Sequence, residues 1–135
     1  MDCKIIDCKS IARKIRQQLA AQVAQSKTQP KLCVLLVGDD KASQLYVKKK
    51  QEACDEVGIQ IEILKLPVDT DQDEIIEIIN QWNNLKQVHG IIVQLPLPVH
   101  LNNTTILNCI NPLYIPPTIE EGFDAVCDVV FEDII

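Results

Sequence analysis

Glycine is scarce in this chain: four residues in 135, at positions 38, 58, 90 and 122, with no two close together. A dinucleotide site needs clustered glycines, so that backbone N–H groups can approach a pyrophosphate at a helix N-terminus. The one glycine placed to open such a turn, Gly38, is followed by Asp39 and Asp40, whose carboxylates would repel phosphate. A dinucleotide is therefore not expected to be held by this chain alone.

Other absences narrow the class further. No run approaches the ~18 apolar residues that span a membrane, and Asp2, Lys4 and Asp7 interrupt any apolar leader at the start. The six cysteines include no C-x-x-C pair, and His89 and His100 stand far from any cysteine pair, so neither a metal centre nor a disulfide scaffold is expected. Cys33, Cys54, Cys109 and Cys127 sit in apolar patterns and are expected as small core residues in a reducing, cytoplasmic compartment. Net charge is -6 with a pI near 4.8, which argues against a nucleic-acid surface. The only dense basic run, Lys48-Lys49-Lys50, lies in a helical pattern that fans its side chains around the axis. The two histidines have no sequence partners and are expected to be structural or exposed.

What the chain does have is a regular alternation of periods. Ile11, Ile15, Leu19 and Val23, at four-residue steps, predict an amphipathic helix from Ser10 to about Ser26. Leu32 to Val37 is a continuous apolar run, the pattern of a strand buried on both faces. A helix follows from about Ala42 to Val57, with Leu45, Lys49, Ala53 and Val57 on one stripe and Ala42, Tyr46, Lys50 and Cys54 on its neighbour; Gly58 supplies the stop. Ile59 to Leu66 predicts a second strand. Thr70 and Asp71 are N-cap candidates for a helix carrying Ile75, Ile79, Trp82 and Leu85 that ends near Asn84. Gly90 to Gln94 is a third strand and Asn103 to Ile110 a short helix. Strands alternating with helices imply β-α-β units, hence an α/β fold: a three-layer α/β/α domain with a mainly parallel, Rossmann-like sheet.

Two segments carry candidate chemistry. Tyr46 and Lys50 are four residues apart and share a helix face, with Ser43 about one turn before Tyr46. Gln94 ends the third strand and runs into Leu95-Pro96-Leu97-Pro98, a proline-stiffened loop. Lys50 and Gln94 are expected to converge at the carboxyl ends of the strands, where open α/β sheets place ligands. An aromatic ring, a lysine and an amide at that mouth suit a flat, polar small molecule. A partly desolvated lysine loses proton affinity, which favours proton transfer or the polarising of an attacking water.

These segments are recognisable. Ile5-Ile6-Asp7-Cys8-Lys9, Val37-Gly38 to Lys50, Ala53 to Ile59 and His89 to Pro98 resemble the N-terminal catalytic domain of the methylenetetrahydrofolate dehydrogenase/cyclohydrolase family over roughly Lys4 to Pro112. The resemblance implies a tetrahydrofolate one-carbon enzyme, dehydrogenase and cyclohydrolase, acting on a small-molecule folate, with no nucleic-acid or membrane partner. In that family the matching tyrosine packs on the folate ring, the lysine is the central catalytic group and the glutamine orients it. Those roles fall on Tyr46, Lys50 and Gln94, with Ser43, Tyr46, Leu95 and Pro96 contacting substrate. The resemblance also implies NADP or NAD bound by a second, C-terminal domain of the full-length family, and no cofactor bound by this chain.

Departures from the family matter as much. Cys8 replaces the glycine of the opening I-D-G-K turn, and no K-D-V-D-G-F string, whose second Asp binds the pterin, is present. Taking Gly122-Phe123 as that Gly-Phe puts Glu121 in place of the Asp. Placing Tyr114-Ile115-Pro116-Pro117-Thr118 on the family's later inter-domain segment deletes the Asp with its loop; the capping box Thr118-Ile119-Glu120-Glu121 favours this second alignment. The expected division is then a folate-site domain over 1–112, and over 113–135 a proline connector and a helix carrying Ile119, Phe123, Val126, Val130 and Ile134. That apolar stripe is expected to fold back on the sheet or to pair with a second copy, and the stiff Pro116-Pro117 step favours a homo-oligomer. The competing functional reading is a truncated or variant α/β module that keeps the scaffold and has lost turnover.

Overall fold

The computed structural model describes residues 5–114. The expected C-terminal helix, its self-association, Cys3 and Cys127 lie outside the described residues. In order, the chain forms α1 (Cys8–Gln25), β1 (Lys31–Val37), α2 (Lys41–Val57), β2 (Gln60–Leu66), α3 (Gln72–Asn84), β3 (Gly90–Val93) and α4 (Asn103–Asn108), then a 3-10 turn at Pro112–Tyr114.

The three strands form one parallel sheet in the order β2-β1-β3. β1 is central, which is why Leu32 to Val37 is apolar throughout: alternate residues point to opposite layers and both layers are covered. Cys33, Leu35 and Val37 face a core built with Ile75, Ile79 and Trp82 of α3 and Ile106 of α4. Val34 and Leu36 face the other way, onto Val47 of α2, with Ile61, Ile63 and Ile92 packed around them. Helices thus cover both faces, the three-layer α/β/α arrangement expected from the alternating periods.

The strand order carries functional weight. The chain leaves β1 through α2 to one neighbour, then returns through α3 to the other, so the sheet reverses direction of growth between β1 and β3. Open α/β sheets bind ligands outside the carboxyl ends of strands at such a reversal. Gln94, just past β3, remains tied to β1 there, donating its backbone N–H to the Leu35 carbonyl at 2.9 Å.

Local chemistry sets the element ends. Asp7 caps α1, its carboxylate accepting from the Ser10 backbone N–H at 3.1 Å and the Ser10 hydroxyl at 2.6 Å, so the helix starts at Cys8, before the expected Ser10. Gly58 ends α2 in the left-handed region at φ 84°, which an L side chain adopts only with strain. At α3, Asp71 holds the N-cap position with no side-chain cap bond, and the alternative, Thr70, turns its hydroxyl back to the Pro67 carbonyl at 2.7 Å. α4 ends at Asn108 rather than Ile110, with Cys109 as its C-cap.

Packing settles what periodicity left open in two helices. α1 is helical, yet of its residues only Ala12 is buried; Ile11, Ile15 and Leu19 are 51%, 41% and 37% exposed. The helix lies against α2, assisted by an Arg16–Glu56 ion pair at 2.8 Å, and does not bring its apolar stripe to the sheet. In α2 the inward face is Ser43, Val47, Lys50, Cys54 and Val57, while Leu45 is half exposed. Cys33 and Cys54 are buried free thiols, and burial pushes both up to about 11. Cys109 is only half buried, its thiol directed to the Thr105 carbonyl at 3.2 Å.

Candidate functional site

The turn after β1 builds the first wall of the site. Gly38 takes φ +90° and donates its N–H to the Leu66 carbonyl of β2 at 2.9 Å, with Val68 packed against it. A side chain at Gly38 would be strained in that conformation. Asp40 then caps α2, its carboxylate accepting from the Ser43 backbone N–H at 2.7 Å. That bond, and after it the Ser43 hydroxyl, hold the Asp40 carboxyl below the usual carboxylate range. Its contribution to stability is present above the ordinary carboxylate pKa and is lost as pH falls through the lowered one.

α2 carries Lys50 inward, to 9% exposure, although lysine is among the residues least often buried. Its Nζ donates to Gln94 Oε1 at 3.2 Å, and the ammonium stands 5.9 Å from the centre of the Tyr46 ring, within cation–π range. Tyr46 itself is 40% exposed, one turn nearer the helix start.

Gln94 is oriented by its other partner. Its Nε2 donates to the Leu95 carbonyl at 2.8 Å. A carbonyl only accepts and a lysine ammonium only donates, so the amide must present nitrogen to Leu95 and oxygen to Lys50. The Leu95 carbonyl also receives the Ser43 hydroxyl at 3.5 Å, a long contact. Ser43, buried to 2%, therefore touches the same peptide that fixes Gln94. The Leu95–Pro96 peptide is cis; Leu95 and Pro96 are exposed at the mouth, while Leu97 is buried beneath them. Residues 43, 46, 50, 94, 95 and 96 thus meet at one place, the mouth of the β1/β3 crevice.

The remaining expected residues lie elsewhere. His89 is at the opposite end of the sheet, its Nδ1 accepting from the Lys31 backbone N–H at 3.1 Å, a structural role. His100 is on the mouth side, its Nε2 3.0 Å from the Thr70 carbonyl. Sequence reasoning had given it no partner; the signal was its place two residues after Pro98, at the end of the site loop. A groove of about 430 Å³ runs between the C-terminal halves of α1 and α2, bordered by Val23, Ala24 and Gly58. It is at the amino end of the sheet, far from the lysine. Among the described residues no group of His, Cys, Asp or Glu could hold a metal ion.

The fold and this mouth define an α/β/α domain with a buried lysine beside the switch point of a parallel sheet. Residues 6–113 match the profile of the tetrahydrofolate dehydrogenase/cyclohydrolase catalytic domain, and the chain belongs to that family. The bifunctional protein FolD of Geotalea daltonii is 46% identical over 112 residues, covering 81% of this chain and 40% of the relative. That of Thermodesulfovibrio yellowstonii is 44% identical over 115 residues, covering 83% and 40%. Among solved structures, the bifunctional FolD methylenetetrahydrofolate dehydrogenase/cyclohydrolase of Campylobacter jejuni superposes with a TM-score of 0.77 at 39% identity, over 80% of this chain and 39% of that one. The Trypanosoma brucei enzyme, complexed with NADP cofactor and inhibitor, gives 0.78 at 29% identity, over 83% and 39%. The chain therefore spans about 40% of the length of the curated relatives it matches.

Proposed function

We propose that this chain forms the folate-site half of a methylenetetrahydrofolate dehydrogenase/methenyltetrahydrofolate cyclohydrolase, with Lys50, Tyr46 and Gln94 as its central groups. The observation that carries this reading is the buried Lys50–Gln94 pair, 3.2 Å apart beside the Tyr46 ring, in a chain of this family. Tyr46 offers an aromatic ring for a flat pterin. Lys50 is the group that moves or holds a proton, or polarises the water used in hydrolysis. Gln94, locked by the Leu95 carbonyl, holds the lysine Nζ in place. Ser43, Leu95 and Pro96 complete the substrate contacts. The folate-site domain in this reading is residues 1–112.

NADP belongs to the full-length relatives, and the described residues do not fit it. The two helices that begin at the strand mouth both carry carboxylates where a phosphate would dock: Asp40 caps α2, and Asp71 begins α3 with Asp73 and Glu74 in the first turn. Anions are stabilised at helix N-termini only where the backbone donors remain available, and the Ser43 N–H is already taken by Asp40. Hydride transfer is accordingly assigned to a protein that also carries the cofactor domain.

The competing reading, a module that has lost turnover, draws on one observation. The family match stops at residue 113, and no K-D-V-D-G-F string is present; the Gly-Phe of the chain, Gly122-Phe123, follows Glu121 rather than an Asp. Tetrahydrofolate binding followed by fluorescence separates the two. A functional site gives saturable binding that Lys50→Met weakens by at least about tenfold, the worth of a buried charged hydrogen bond, and that Tyr46→Phe weakens less. Binding indifferent to Lys50→Met would exclude the site.

A further inference from the structure

Beyond the lysine, tyrosine and glutamine, the loop that roofs the mouth is fastened at both ends, and only one fastening belongs to those residues. At its start, the Leu95 carbonyl is held by Gln94 Nε2 and approached by the Ser43 hydroxyl. At its far end, His100 Nε2 lies 3.0 Å from the Thr70 carbonyl, and the Asn102 backbone N–H donates to Gln72 Oε1 at 2.8 Å. Both partners sit where β2 turns into α3, across the mouth from Gln94. The receiving turn is itself closed, since the Thr70 hydroxyl and N–H both donate to the Pro67 carbonyl, at 2.7 and 3.2 Å, and Thr70 is 6% exposed. It presents a fixed carbonyl rather than a mobile one.

We propose that His100 is a positioning residue for the strand-end site, acting through the Leu95–Leu101 segment; this rests on the folate-site reading above. The carbonyl of Thr70 can only accept, so His100 must carry a proton on Nε2. Between the two fastenings, Leu97 and Leu101 insert into the α3-side core, at 8% and 7% exposure, and Pro96 and Val99 face out. The apolar anchors fix how deep the segment sits. The His100 bond fixes where it lies sideways, and with it the Leu95 carbonyl that orients Gln94 and the Pro96 edge that faces a ligand. Without it, ligand binding must also bear the cost of ordering that backbone.

The test uses the 135-residue chain as wild type, His100→Ala and His100→Gln; the glutamine amide nitrogen stands close to where Nε2 was and restores a donor. Tetrahydrofolate titration, amide hydrogen exchange at Leu95, Leu97, Val99 and Leu101, and Tm are measured for each. The expected result is a loss of affinity of about threefold to tenfold in His100→Ala, matching the net worth of one hydrogen bond. Faster exchange confined to those four amides should accompany it, and His100→Gln should recover most of both. Unchanged affinity and exchange in His100→Ala would overturn the proposal. So would an affinity loss accompanied by faster exchange throughout the domain, which is a general structural role. If wild type binds no tetrahydrofolate, the folate reading fails, and His100→Ala exchange alone then decides whether the segment is held as described.

Discussion

At the scale of single residues, the burial of Lys50 is the least comfortable feature of the domain. A charged amine at 9% exposure has lost most of its water, and its partners include the Gln94 amide oxygen and the Tyr46 ring. If Lys50 served the scaffold, its removal would destabilise the fold; if it serves chemistry, its burial is a cost carried for function. Lys50→Met keeps the stem length and discards the charge. Its unfolding free energy is expected to equal that of wild type or exceed it by up to about 2 kcal/mol, as denaturant melts will measure, while tetrahydrofolate binding falls. A variant less stable by more than about 1 kcal/mol would mark the lysine as structural. The spacing of Tyr46, Lys50 and the strand-end Gln94 was legible in the sequence, because a four-residue step on a helix is fixed geometry. The orientation of Gln94 was not: it depends on the Leu95 carbonyl and on how the loop turns after Gln94. His100 was illegible for a similar reason, since its partner is thirty residues away on another element.

At the scale of elements, strands and helices followed from period and punctuation, and the ends moved by a few residues where a cap decided them. α2 shows where periodicity misleads. Neither of the two stripes read from the sequence is the buried one: the inward face runs through Ser43, Val47, Lys50, Cys54 and Val57, taking members of both. α1 shows a larger gap. Its four-residue apolar repeat predicted a helix correctly, yet the repeat says nothing about what will cover it. In the described residues Ile15 is 41% exposed, whereas Ile79 of α3 is fully buried against the sheet. The two isoleucines therefore separate local propensity from tertiary packing. Ile79→Ala should cost about 2–5 kcal/mol through lost burial and a residual cavity. Ile15→Ala should cost less than about 1 kcal/mol, since modest lost contact is partly offset by the better helix propensity of alanine. Chemical denaturation of both variants checks this, and equal losses would mean that α1 is packed in solution along the face left open here.

At the scale of the whole molecule, the question is which half of a two-substrate reaction this chain can hold. The mouth between β1 and β3 has a ring, a lysine and an oriented amide, all suited to an uncharged planar ligand. Around it the helix starts carry Asp40, Asp71, Asp73 and Glu74, Asp39 is paired with Lys65 at 2.6 Å, and the net charge of the chain is -6. That field disfavours a pyrophosphate, and no pair of glycines lets backbone approach one. Relatives named as bifunctional are about twice as long, consistent with a division in which the dinucleotide is held by sequence that this chain does not match. Hydride transfer also requires the nicotinamide to be held within reach of the folate carbon, so weak binding of either partner is not enough. The purified 135-residue chain is accordingly expected to bind tetrahydrofolate but not to reduce NADP+ in the presence of methylenetetrahydrofolate, with no reduced-nicotinamide absorbance above a Lys50→Met control. A Lys50-dependent rate above that control would show that a dinucleotide does find a seat on this chain, and would overturn the assignment of hydride transfer to a separate domain.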